Sequence, residues 1–362
     1  MLSYRLSVAM MTIGLLLAGT LYADRISYIQ GSGAKAEMKM DEGITITGWS
    51  ASKVDYKTGD GKATSVKYAD ILSLDRHYGT MGAPLSDAMD LIASDPGAAV
   101  DALAEIASSG NALDREEAAF LRANILDSES FADKGLLSQA TKAYEDYVKS
   151  YKSGYFAREA YRGLSNSQLR ANNVSGARAT LKNMVKADNV LEREGNQLLG
   201  ELEAGEAKWS EAISAFKSAQ SAAAGEKDKN HEYLAKAWEG WCTLKSGNAA
   251  AAKTLLEAVT EDDGFDDPNS TVDESALSVA FPALGDCYFE SDNFQKAYDA
   301  YVKGAYYAWW SAGTREGYCL GQAYLCAKKN EGTGDKWKKR TAKLRTALAL
   351  GFPRVLAEVD KQ

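Results

Sequence analysis

Phe281-Pro282-Ala283-Leu284-Gly285-Asp286-Cys287-Tyr288, followed by Asn293-Phe294 and Ala297-Tyr298-Asp299-Ala300-Tyr301, decides the fold of this 362-residue chain. Large residues stand at 281, 284 and 288, a glycine at 285, a small alanine at 297 and an aromatic at 301. Spacings of three and four place each set on one stripe of a helix. The glycine and the alanine let two antiparallel helices approach closely, and the large side chains one turn away fill the gaps beside them.

The same arrangement recurs along the chain, and tandem recurrence is the signature of a stacked array. Leu199-Gly200 with Ala212 and Phe216 fits the template, with Trp209 at the turn. Tyr161, Leu164, Ala177 and Leu181 fit it with Ser165 in the glycine position and Gln168 in the aromatic one. A further unit runs from Trp238 to Leu256 around the turn Ser246-Gly247-Asn248, and either Ala251 or Ala252 suits its small position. An earlier unit has a first helix at about Arg115 to Leu126 and ends in Ala140, Tyr144 and Tyr147. Leu320-Gly321 and Tyr324 open another, with a second helix from about Trp337 to Leu350 behind a looped Asn330-Glu331-Gly332-Thr333-Gly334-Asp335. A looser hairpin, Leu85 to Ser94 and Gly97 to Ser109, starts the series. Pro282 falls near the start of a first helix, harmless there within one turn of the beginning and a kink otherwise.

These units resemble the tetratricopeptide repeat, a helix–turn–helix of about 34 residues. Phe281, Leu284, Gly285, Tyr288, Ala297 and Tyr301 fill all six of its marked positions. The small-position alanines are 35 to 46 residues apart, so short insertions separate the units. The resemblance implies a mainly α protein: an α-solenoid of about six or seven hairpins over 85–352, with a tail at 353–362. It also implies a concave groove lined by the first helices. On the better registers the groove positions are Arg162, Asn166 and Arg170, then Gln197 and Glu201. Trp241 follows if the later register holds, then Asp286, Phe289 and Glu290, then Arg315, Tyr318 and Gln322. Charge and aromatic shelves of this kind suit an extended peptide or a partner's tail.

Between Asp24 and Tyr78 the period is two. Short strands are expected at Arg25–Gln30, Lys35–Met40, Ile44–Gly48, Lys53–Lys57, Ser65–Tyr68 and Asp70–Asp75, with Asp60-Gly61 as a hairpin turn. A small closed barrel buries one face of such strands and removes their edges. The stretch resembles, loosely, the small SH3-like modules that precede helical repeats in some secreted bacterial proteins. Residues 79–84 read as a linker.

At the N-terminus a single positive charge, Arg5, precedes an apolar run from Leu6 to Leu21, and charge resumes at Asp24-Arg25. This reads as an export signal over 1–23, with an uncleaved anchor as the other reading. Removal of that segment takes the net charge from −8 to −9. An acidic chain is repelled by nucleic acid, which is excluded as a partner, and no membrane span is expected in the mature chain.

Catalytic signals are absent: no Gly-rich phosphate loop, no GxSxG and no HExxH. His77 and His231 are the only histidines and lack an evident nucleophile. Cys242, Cys287, Cys319 and Cys326 show no CxxC spacing and read first as buried free thiols. No metal or cofactor is expected. The acidic stretch Glu261 to Asp267 lacks the spacing of a calcium loop and reads as a solvated insertion. Tyr306-Tyr307-Ala308-Trp309-Trp310 reads first as packing between hairpins, and otherwise as an interface or a sugar-stacking surface. The expectation is a non-catalytic scaffold or adaptor of the bacterial envelope, in the periplasm or outside the cell, whose groove and β-module each hold a protein or peptide partner. The alternatives are a structural subunit of an assembly or homo-oligomer, and, less favoured, a glycan-acting enzyme.

Overall fold

A computed structural model describes residues 24–31, 36–76, 83–265, 272, 274–308 and 315–362. The export signal at 1–23, His77, linker residues 79–82, Asp266-Asp267 and Trp309-Trp310 lie outside the described residues. The chain divides into two compact units, one ending at Ala160 and the other beginning at Tyr161.

The first unit opens with β1 (Asp24–Gln30), β2 (Glu37–Trp49), β3 (Lys53–Lys57), β4 (Ala63–Lys67) and β5 (Ile71–Asp75). They form one antiparallel sheet in the order β4-β3-β2-β1-β5. The two strands expected at 35–40 and 44–48 are one continuous strand, β2. Gly43 adopts φ +69° and is skipped in the pairing with β1, so what reads as a break is a bulge. Gly61, at φ +83°, closes the expected β3–β4 hairpin. Period-two alternation sends Ile44, Ile46, Val54, Tyr56 and Val66 into one core with Ile26. The helices α1 (Pro84–Leu91), α2 (Pro96–Ser109), α3 (Ala112–Glu129) and α4 (Leu137–Ser150) follow. Leu85, Ala99, Leu103, Ile106, Ala118 and Ile125 pack α1, α2 and α3 together.

The second unit holds most of α5 (Ala157–Arg170), then α6 (Val174–Ala187), α7 (Asn189–Gly205), α8 (Trp209–Glu226), α9 (Lys229–Lys245), α10 (Ala249–Thr260), α11 (Ser275–Glu290), α12 (Phe294–Tyr307), α13 (Glu316–Lys329), α14 (Asp335–Gly351) and α15 (Pro353–Val359). Four hairpins turn on the same device. Asn172, Ala207, Gly247 and Asp292 take φ between +55° and +90°. In each, the next residue donates its N–H five residues back, as Asn173 does to Gln168, Lys208 to Glu203, Asn248 to Thr243 and Asn293 to Tyr288. That geometry satisfies the open carbonyls at a helix end. Asn173, Asn248 and Asn293 then cap the second helix, each accepting an N–H three residues on.

Inside the hairpins the glycines admit the partner's large residue. A Cβ at Gly200 would lie 2.7 Å from the Phe216 ring, one at Gly285 2.6 Å from Tyr301, and one at Gly240 2.7 Å from Leu256. The Gly240–Leu256 contact and the full burial of Ala252, with Ala251 exposed, fix the later register of the Trp238 unit. Gln168, in an aromatic position, accepts a 2.8 Å hydrogen bond at Oε1 from the Thr180 hydroxyl. Two features depart from the repeat pattern. Gly321 and Gly317 face Val355 and Phe352 around α15, so the last residues, expected as a tail, contain a helix packed on α13. Helix α11 begins at Ser275, which places Pro282 in its interior. All four cysteines are free and buried, and burial pushes each thiol up to about 12.

Candidate functional site

Period and pitch decide what the first helices of the second unit present. Helices α5, α7, α9, α11 and α13 bury one stripe against their hairpin partners and turn another toward a shared inner face. The Arg162 guanidinium on α5 pairs with Glu194 on α7. Gln197 donates from Nε2 to Glu201 Oε1 over 2.7 Å. Glu201 keeps an exposed side chain, but the protein around it raises its carboxyl above the ordinary range, against the opposing pull of the Gln197 hydrogen bond and of Arg162. Asp286 on α11 accepts hydrogen bonds from the Tyr301 hydroxyl, at 2.7 Å, and from the Tyr318 hydroxyl on α13. Burial, then the Asp286 charge, raises both phenols far above their ordinary range. Lys245 on α9 places its ammonium 3.8 Å from Asp286 and over the Trp241 ring.

Arg315, immediately before α13, reaches back past α11. Its guanidinium lies 5.1 Å from the centre of the Trp238 ring on α9 and donates to the Ser278 carbonyl on α11 at 3.5 Å. It is also within electrostatic reach of Asp286 and of Glu201 on α7.

Seven of the expected groove residues are thus brought together: Arg162, Gln197, Glu201, Trp241, Asp286, Arg315 and Tyr318. Asn166 lies beside them on the rim of a cleft of about 340 Å³ between α5, α6 and α7. Leu169, Leu181, Leu198 and Leu202 floor that cleft. Arg170 and Gln322 are half-buried and Glu290 is exposed. Phe289 instead packs edge-on against Phe294, 5.3 Å between ring centres, beside Leu320 and Leu344. Sequence reasoning missed Trp238, Lys245 and Glu194. The first two stand one helical turn either side of Trp241, which is the signal that could have found them.

The first unit carries a different cluster. Glu116 on α3 accepts hydrogen bonds from Trp49 Nε1 and the Tyr147 hydroxyl, both at 2.8 Å, and from the Tyr155 N–H at 2.6 Å. Tyr155 stacks on Trp49 at 5.2 Å and leans on Tyr68 at 5.1 Å. Arg76 lies over Trp49 and pairs with Asp114 and Glu117. Tyr155 and Phe156 pack on the aromatic side of the sheet, and a cleft of about 380 Å³ remains there, lined by Trp49, Tyr68, Leu72, Arg76 and Tyr155. Among the remaining motifs, Tyr307 stacks on Phe281 at 5.6 Å, as packing requires. His231 lies 2.7 Å from Asp228 at the start of α9, where Asp228 caps the helix. Asp262 of the acidic stretch accepts from the Gly264 N–H. Among the described residues no helix is long and apolar enough to cross a membrane.

No family model matches this chain, and no curated protein does. Solved structures do. The chain is similar to a signal-transduction ATPase with a tetratricopeptide repeat sensor from Pyrococcus horikoshii, with a TM-score of 0.50 and 17% identity. That match covers 76% of this chain and 42% of the archaeal one. PilW, a widely conserved type IV pilus biogenesis factor, matches at a TM-score of 0.45 and 17% identity, over 66% of this chain and 97% of its own. PilF of Pseudomonas aeruginosa matches at 0.46 and 14%, over 68% and 98%. At these identities the likeness is one of fold: a tetratricopeptide-type α-solenoid.

Proposed function

We propose that this tetratricopeptide-type chain is a non-catalytic scaffold of the bacterial cell envelope that holds an extended segment of a partner protein on the inner face of its second unit. The observation that carries the reading is that Arg162 on α5, Glu201 on α7, Asp286 on α11 and Arg315 just before α13 form a chain of electrostatic neighbours across successive hairpins. Fixed charges and aromatic rings there offer side-chain recognition, and the leucine-floored cleft beside Asn166 offers a socket for an apolar side chain. The location rests on the export-signal reading of 1–23, and the acidic net charge of −8 disfavours nucleic acid. The β-module is read as a second holding surface, with the cleft of about 380 Å³ lined by Trp49, Tyr68, Leu72, Arg76 and Tyr155 as its candidate place.

Replacement of Arg162 and Arg170 by glutamate tests the reading. Partner capture by the mature chain is expected to fall, with the circular dichroism spectrum unchanged, and unchanged capture would sink the groove assignment. A second reading, a homo-oligomer or a subunit of an envelope assembly, is favoured by the exposed Tyr306 and Leu350 on second helices. Light scattering that finds a discrete oligomer of the chain alone favours it.

A further inference from the structure

Charge is unevenly placed along this chain. Seven cations and no carboxylate lie between Lys336 and Ala357, which leaves −15 on the rest of a chain whose net charge is −8. Between Asp87 and Asp114 lie six carboxylates and no cation. The helices turn each run into a surface. In α14, Trp337, Thr341 and Leu348 are buried, and the helical period sets Lys336, Lys339, Lys343 and Leu350 on the opposite side, where all four are exposed. Leu350 is 84% exposed. Lys338 and Arg345, on the flank, are taken up by Asp335 and Asp360. Among the described residues no carboxylate stands within ion-pair distance of Lys336, Lys339 or Lys343. In α2, Ala99, Leu103 and Ile106 are buried, and Asp101 and Glu105 stand exposed on the far side. Asp87 and Asp90 are exposed on α1, which packs against α2. Lys339 with Lys343, and Asp101 with Glu105, are like charges four residues apart, which weakens a helix by itself and is relieved by opposite charge brought against it.

We infer that the outer face of α14 docks on the acidic face of α1 and α2 in a second copy of this chain. This rests on the homo-oligomer reading above and not on the inner face, since α14 is a second helix. The complement in charge is what selects the partner. A chain that carries −15 outside the basic run is repelled by an anionic lipid surface or a nucleic acid, whereas its own α1 and α2 offer fixed carboxylates with no cation among them. Leu350, at the end of the lysine stripe, adds an apolar side chain to the contact. Two different faces meet in it, so the contact is heterologous and can add copies one after another.

The test is sedimentation velocity of the full mature chain at low and high salt, where charges are felt over about 30 Å at 0.01 M and about 3 Å at 1 M ionic strength. The mass is expected to rise with protein concentration at low salt and to fall to that of one chain at high salt. One triple variant carries Lys336→Glu, Lys339→Glu and Lys343→Glu, and another carries Asp90→Lys, Asp101→Lys and Glu105→Lys. All six side chains are exposed, so both variants are expected to keep the native circular dichroism spectrum. Each alone is expected to self-associate about a hundredfold more weakly, because like charges then face each other. Mixed in equal amounts, the two are expected to associate again, since the reversed faces complement one another. A single chain at low salt at every concentration overturns the inference together with the homo-oligomer reading. Self-association that neither reversal weakens overturns the inference and leaves that reading standing. Vesicles of phosphatidylglycerol are offered in parallel. Vesicle binding that the lysine reversal abolishes, by a chain that does not self-associate, overturns the inference in favour of a lipid surface.

Discussion

Gly285 and Tyr301 touch so closely that the hairpin α11–α12 has no room for a methyl group between them: a Cβ on Gly285 would stand 2.6 Å from the Tyr301 ring. Tyr301 is 1% exposed and its hydroxyl is committed to Asp286, so the ring has nowhere to go. Gly285→Ala gains helix propensity but overpacks the hairpin. A net loss of about 1–3 kcal/mol is expected, read as a lower urea midpoint. An unchanged midpoint would mean that the two helices are not held at this distance.

Ala207 occupies the left-handed turn position that Gly247 fills between α9 and α10. An alanine there costs about 1 kcal/mol relative to glycine. Ala207→Gly is therefore expected to raise the thermal midpoint slightly, whereas the same change at Ala252, fully buried in a helix, is expected to lower it. Calorimetry on the two variants checks both signs.

The hairpins were legible in the sequence because the constraint behind them is local. Gly200, Gly240 and Gly285 each meet a large residue sixteen positions later, and that spacing survives whatever the rest of the chain does. The register of the first helices was legible for the same reason, and Arg162, Glu201, Asp286 and Arg315 turn out to be electrostatic neighbours. The contact of Phe289 with Phe294 was not legible, since a position on the first helix leaves open whether an aromatic turns outward or packs along the hairpin. The Glu116 cluster was invisible for another reason. It joins Trp49, Glu116 and Tyr155, which are far apart in sequence and share no period. Helix α15 was missed because it departs from the repeat: it packs Val355 on Gly321, in the place a hairpin partner would take.

Glu116 accepts from three donors, and burial raises its carboxyl above the ordinary range. Glu116→Ala leaves the Trp49 indole, the Tyr147 hydroxyl and the Tyr155 N–H without that acceptor. A loss of about 3 kcal/mol is expected in urea unfolding, since each buried donor left unmade costs about 1 kcal/mol or more. A loss near zero would show that water or another group serves them.

Asp228 works in the opposite direction to Glu116. Burial alone would raise its carboxyl, but the hydrogen bonds from His231 and the charge of Arg193 outweigh burial and hold it at about 2. A carboxyl depressed in the folded chain adds stability above its unfolded range and loses it as pH falls toward the folded value. Asp228→Asn keeps a good helix cap and removes the charge. The variant is expected to be less stable by about 2–3 kcal/mol at pH 7, with the two chains converging as pH falls from about 4 to about 2. Parallel curves at all pH values would contradict the assignment.

The inner face is tested most directly by where a bound partner lies. A photo-crosslinking residue in place of Asn166, exposed on α5 beside the leucine-floored cleft, faces the proposed segment, and one in place of Asn183, exposed on α6, serves as the comparison. Illumination in intact cells is expected to give a discrete crosslinked partner from position 166 and none from 183, with the 166 product lost when Arg162 and Arg170 are changed to glutamate. A partner crosslinked from 183 and not from 166 would contradict the inner-face reading.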